Sequence, residues 1–166
     1  MNQNLKMKWV IWNEIFRILA LPYIRLLFFV NRVPWKRNWR VLGAPIIQPY
    51  TGSKITIGDN LIMRSWVTSN PVAPNHPVFL STRTDKAEIL IGNDFGITGG
   101  SIIAAERVKI GNRVLIGGNC LITDTDFHPL EPGKRMEHDK GITAEPIFIE
   151  DDVFIGTSAI ILKGVK

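Results

Sequence analysis

The sequence predicts a mainly β fold: a triangular parallel β-helix of about four coils with two excursion loops, preceded by an amphipathic helix. Three observations carry this. An aliphatic residue followed by a small or polar one recurs in blocks of six, at Ile91, Ile97, Ile110, Ile116, Ile122, Ile149, Ile155 and Ile161. Gly, Asn and Asp gather between the blocks, as in Gly58-Asp59-Asn60 and Gly92-Asn93-Asp94. The first 40 residues lack the beat and are instead apolar, aromatic and basic.

The N-terminal segment (1–40) holds Trp9, Trp12, Tyr23, Trp35 and Trp39 among apolar residues, with eight cations (Lys6, Lys8, Arg17, Arg25, Arg32, Lys36, Arg37, Arg40) against Glu14 alone. The chain as a whole carries +5, so the remainder is slightly acidic. Arg17, Pro22 and Arg25 interrupt the apolar run, which therefore lacks the ~20 consecutive apolar residues a spanning helix needs. There is no small-residue cleavage site of a secretory signal. The pattern reads as a helix that breaks or bends near Pro22. It lies in the headgroup layer of an anionic membrane, or packs on protein. With no basic stripe in the repeat region and no nucleic-acid motif, nucleic acid is excluded as the partner.

The second unit (41–166) opens on a Gly/Pro-rich lead-in over 41–54, with Gly43, Pro45, Pro49 and Gly52. The first block is Ile57-Gly58-Asp59-Asn60-Leu61-Ile62. Residues 70–87, with Pro71, Pro74 and Pro77, read as an excursion from the coil. Three blocks make one eighteen-residue turn of three short strands, their aliphatic residues stacking into a central column. Coils are expected over 55–69, 91–109, 110–127 and 149–166, with one added residue between Ile97 and Ile110. Positive φ at the corners is assigned to Gly and Asn. Cys120, the single cysteine, excludes an intrachain disulfide, fits a reducing compartment, and reads as a small buried thiol in the core.

Counting six on from Ile122 lands on His128, where the beat stops for 21 residues. Neutral imidazole is available near pH 7 to take a proton from a hydroxyl. Asp124 and Asp126 are candidates to orient its ring. An oxyanion formed beside the histidine would need donors, for which the N–H groups of Gly117 and Gly118 and the amide of Asn119 are candidates. His76 stands in the other loop, within reach of an acceptor pocket, and Arg135 is suited to an anionic acceptor. His138 reads as solvated. A zinc site built from the three histidines is disfavoured, because His128 and His138 stand ten apart with a polar run between. Gly99-Gly100 is a tight corner, since it lacks the Lys-Ser/Thr of a phosphate loop.

The run Asn119-Cys120-Leu121-Ile122-Thr123-Asp124-Thr125-Asp126-Phe127-His128-Pro129, with Ile149-Glu150-Asp151-Asp152-Val153-Phe154-Ile155-Gly156 and the sixfold beat, resembles the hexapeptide-repeat acyltransferases. The closest likeness is to their sugar and polysaccharide O-acetyltransferase branch, over about residues 55–166. The resemblance implies a left-handed β-helix, an exception to the right-handed crossover rule. It implies a homotrimer with sites between subunits, acetyl-coenzyme A as co-substrate, and a sugar or glycan hydroxyl as acceptor. His128 would be the general base, with Asn119 beside the acyl group or acceptor. Gly117, Gly118 and Phe154 would meet the coenzyme. Two departures stand out. Nine residues separate Asn119 from His128 where relatives often have eight, and Phe154 replaces a frequent tryptophan. Relatives continue through further coils, so the chain is expected to be truncated at its C-terminus. The implied location is cytoplasmic, at or near the inner membrane face, in surface-polysaccharide synthesis. The rival reading is a non-catalytic trimeric scaffold.

Overall fold

The computed structural model describes residues 8–135 and 141–166, so His138 lies outside the described residues. A 23-residue helix, α1 (Lys8–Val30), precedes fourteen short strands. These are β1 (Arg40–Leu42), β2 (Ile46–Gln48), β3 (Lys54–Ile57), β4 (Ile62–Arg64), β5 (Phe79–Thr82), β6 (Glu88–Ile91) and β7 (Gly96–Thr98). The rest are β8 (Ser101–Ala104), β9 (Arg107–Ile110), β10 (Leu115–Ile116), β11 (Leu121–Thr123), β12 (Ile147–Ile149), β13 (Phe154–Ile155) and β14 (Ile160–Ile161).

They form three parallel sheets in which every third strand is a neighbour. The first sheet runs β1-β4-β7-β10-β13, the second β2-β5-β8-β11-β14 and the third β3-β6-β9-β12. The chain visits the three sheets in rotation, which is the connectivity of a parallel β-helix. Each strand buries its inward residues between the coils above and below. Ile97, Ile116 and Ile155 stack in the first sheet, Leu80, Ile102 and Ile122 in the second, and Ile57, Ile91, Ile110 and Ile149 in the third. Cys120 is buried in the core beside them.

The lead-in reading of 41–54 is corrected. β1 and β2 lie there, and Val41, Ile47 and Ile55 are buried in the same stacks. The spacing from Ile47 to Ile55 is eight because the turn through Gly52 (φ 94°) is longer than a six-residue block allows. The first excursion is also shorter than its Pro-rich composition suggests. It spans 65–78, and Phe79–Thr82 returns as β5. Around Gly96, which pairs with Leu115, the turn is nineteen residues long, one more than three blocks. The step from Ile97 to Ile102 loses a residue at the Gly99-Gly100 corner, and the step from Ile102 to Ile110 gains two.

The corner after the third sheet shows how the coils lock. The side chains of Asn93, Asn112 and Asp151 each accept the backbone N–H of the preceding coil's Asp59, Asn93 and Asn112, at 2.8, 2.9 and 2.7 Å. Positive φ falls on the third residue of each corner, Asn60, Asp94, Arg113 and Asp152, rather than on the glycines. Gly58, Gly92 and Gly111 are needed for closeness instead. A Cβ on Gly92 would stand 2.6 Å from the Gly111 carbonyl oxygen.

The outer surfaces differ. The first sheet carries exposed Ile62, Leu115 and Phe154, and the second exposed Ile46 and Ile160 with half-buried Phe79. The third sheet is mixed outside: Lys54, Glu88 and Arg107 lie in register, with Glu88 paired to Arg107 at 2.8 Å, beside a second outward row of Thr56, Leu90, Lys109 and Phe148.

Helix α1 runs unbroken through Pro22, contrary to the expected break. Pro22 and Ile18 both lie on the exposed side, so the carbonyl that loses its donor stays within reach of solvent. Asn13, Ile24 and Phe28 are buried against the β-helix. The Asn13 amide donates to the Thr68 carbonyl at 2.6 Å, and Phe28 packs edge-on to Trp35 and Trp39. Glu14 binds both Arg17 and Arg40. Partial burial pushes its carboxyl up, and the two guanidinium hydrogen bonds more than reverse this. Among the described residues, no helix is long and apolar enough to cross a membrane.

Candidate functional site

The sequence-predicted residues divide between two neighbouring corners. At the corner between the first and second sheets, Asn119 takes φ 61° and its side-chain oxygen accepts the N–H of Asn75 at 2.9 Å. This fastens the first excursion to the coil. Val72 of that loop covers Gly118, where a Cβ would meet Val72 Cγ1 at 2.6 Å. His76 is half-buried beside it, with Nδ1 2.7 Å from the Pro77 carbonyl. A carbonyl only accepts, so Nδ1 is the donor in this contact.

The Gly117 donor expectation is corrected. Its N–H is spent on the Ile155 carbonyl at 2.8 Å, as the parallel ladder requires. Phe154 stands on the outer side of the first sheet, 73% exposed and in register with Leu115. It leaves an apolar surface, not a pocket.

The next corner, between the second and third sheets, carries Asp124, Asp126 and His128. Asp124 is fully buried, and its carboxylate accepts the N–H groups of Ala105, Glu106 and Arg107 at 2.6, 2.8 and 2.7 Å. Fully buried and bonded to three amides of the adjacent coil, it serves the coil and not the exposed histidine ring, which corrects its assignment as an orienter. Asp126 accepts the Lys163 ammonium and the Thr143 hydroxyl, each at 2.6 Å. These hydrogen bonds, from Lys163 first and then Thr143, hold its carboxyl below the ordinary value. Its carboxylate ties the turn to the last coil, and among the described residues its hydrogen bonds go to Lys163 and Thr143, not to the imidazole as expected for an orienter.

Between them the backbone is tight. The N–H of His128 donates to the Asp126 carbonyl at 2.7 Å, closing a three-residue turn over Phe127 at φ 60°. For a residue with a bulky side chain this conformation is strained. The result is an exposed imidazole at the tip of an anchored turn. Phe127, its immediate neighbour, lines a hollow of about 500 Å³ with Tyr50, Arg83, Thr84, Thr125 and Ile142. Arg135 is exposed nearby in sequence and donates to the Leu130 carbonyl at 3.1 Å.

Asn119 and His128 lie at opposite ends of β11 and do not meet within one chain. Lys163, Thr143, Tyr50 and Arg83 escaped the sequence reading. A signal for Lys163 existed. Ile122 pairs with Ile161, an offset of 39 that also places Lys163 on Asp124. Among the described residues, no group of three or more His, Cys, Asp or Glu side chains is gathered to hold a metal ion. Compared with known proteins, the chain matches no family model, no curated sequence and no solved structure.

Proposed function

We propose that the chain is an acyltransferase moving an acetyl group from acetyl-coenzyme A to a hydroxyl of a sugar or glycan, with His128 as general base. The observation that carries this reading is the strained turn over Phe127, which holds an unburied imidazole beside a hollow of about 500 Å³. Strained backbone in a bulky residue such as Phe127 is over-represented at active sites, where it positions reacting groups. The turn is anchored twice, by Asp126 on Lys163 and Thr143 and by Asp124 on the preceding coil. The imidazole therefore starts from a restricted position, which general-base catalysis rewards.

Acetyl-coenzyme A supplies the activated acyl group. His128 accepts the hydroxyl proton as the acceptor oxygen bonds to the acyl carbon, and the thiol leaves. Arg83 and Tyr50 line the hollow and are suited to a polar acceptor. The solenoid is read as left-handed and the assembly as a homotrimer. The first and second sheets carry exposed large apolar side chains (Leu115 and Phe154, Ile46 and Ile160), so a ring in which the first sheet of one copy meets the second sheet of the next would bury both sets. Such packing is also how residues from two different corners, Asn119 and His128, would be brought to one cleft.

The test is thiol release from acetyl-coenzyme A across a panel of sugar acceptors. His128→Ala should lower the rate about 10²–10⁴-fold without changing the melting temperature, because the ring is exposed. Undiminished turnover in that variant would overturn the assignment. Absence of acetyl-coenzyme A binding to the wild-type chain would favour a scaffold.

A further inference from the structure

We propose that α1 and the basic segment after it form a docking surface for an anionic phospholipid membrane, with the helix lying in the headgroup plane. The inference stands on the surface of α1 and is independent of the acyltransfer reading. Only a narrow stripe of α1, through Asn13, Ile24 and Phe28, is buried on the β-helix. The opposite side exposes Trp12, Phe16, Leu19, Tyr23, Leu26 and Phe29, at 51 to 79% of their surface. At 100° per residue the exposed apolar side chains cover roughly 160° of the helix circumference. That arc is wider than the two-position seam with which one helix covers another, and it suits a flat apolar medium. Its length, about 35 Å at 1.5 Å per residue, adds to an exposed apolar area uncommon on monomeric surfaces.

Charge selects the lipid. Arg32, Lys36 and Arg37 are exposed immediately beyond the helix, and Arg25 lies over the Trp35 ring at 5.2 Å. Arg25 and Arg32 line an open hollow of about 580 Å³ with Phe29, Val30, Pro34 and Trp35, so cations and apolar side chains share one rim. Glu14 is paired with Arg17 and Arg40, and Asp59, which accepts the Arg37 backbone N–H at 3.1 Å, is one acid against the four cations Arg25, Arg32, Lys36 and Arg37. Arg32 also takes φ 58° just past the helix end, a position where glycine is usual. Interfacial aromatics beside a net cationic cluster match the headgroup layer of an acidic leaflet.

The experiment is flotation of the full chain with phosphatidylcholine vesicles, with and without about one third phosphatidylglycerol. Flotation is expected with the anionic vesicles and should weaken with salt. Reversing three cations, in Arg32→Glu/Lys36→Glu/Arg37→Glu, should lower partitioning at least about a hundredfold, at about fivefold per cation. Leu19→Asp/Phe29→Asp should abolish it at any salt, with an unchanged far-ultraviolet spectrum, since both side chains are exposed. Flotation indifferent to lipid charge and to the triple reversal would overturn the proposal. So would absence of flotation, and a solution mass that falls in Leu19→Asp/Phe29→Asp would then assign the face to a second copy of the chain.

Discussion

Replacing Asp124 by alanine removes an acceptor shared by three backbone N–H groups at once. Charge-assisted hydrogen bonds contribute about 1.5–3 kcal/mol each, but the three amides are not equally enclosed. Glu106 and Arg107 are exposed residues whose N–H groups regain water, while Ala105 is half-buried. Removing a buried charge also recovers some desolvation energy. The expected loss for Asp124→Ala is therefore about 3–5 kcal/mol, below the simple sum. Asp124→Asn keeps the shape and one acceptor oxygen, and should lose about 1–3 kcal/mol. Urea unfolding followed by tryptophan fluorescence reads both values. A loss under about 1 kcal/mol in the alanine variant would refute the claim that this carboxylate holds the corner. Unchanged stability in Asp124→Asn, with acetyl transfer lost, would return the residue to the imidazole.

Gly92→Ala should cost about 1–3 kcal/mol through overpacking, because the added methyl would meet the backbone of the next coil, whereas Gly133→Ala, with nothing within 4 Å, should leave the melting temperature unchanged. Asp126 has a folded-state pKa below its unfolded one. Its stabilisation is therefore present above the ordinary carboxylate range and disappears as pH falls below about 4. Lys163→Met should consequently be less stable than wild type at pH 6 to 8, with the gap closing in acid, and a gap independent of pH would rule out the ion pair as its source. Leu80→Ala, at a fully buried stack position, should cost about 2–5 kcal/mol in urea unfolding.

The sixfold beat was legible because its period is set by the inward columns. Ile91, Ile97, Ile110, Ile116, Ile122, Ile149 and Ile155 are all buried. The beat hid the first coil, where Val41, Ile47 and Ile55 keep the inward pattern but the turn through Gly52 stretches the count. His128 was found by the break in the period, a signal that survives because the loop must leave at a corner. The roles of Asp124 and Asp126 were not legible, since both depend on partners in adjacent coils, Ala105 to Arg107 above and Lys163 below. Gly117 misled for a related reason. A glycine beside a corner looks free to donate, yet its N–H belongs to the ladder. Pro22 did not break α1, because a helix lying on a surface can leave one carbonyl facing outward.

Both long insertions leave from corners, and the strands on either side of them keep their pairing: Met63 still meets Ile97, and Ile122 still meets Ile161. The joints thus act as sockets that hold a loop without passing its shape to the prism. Sequence drift in 71–76 or 130–135 can alter what is recognised while the shaft beneath stays indifferent. A lineage of such chains could diversify its chemistry of recognition far faster than its architecture.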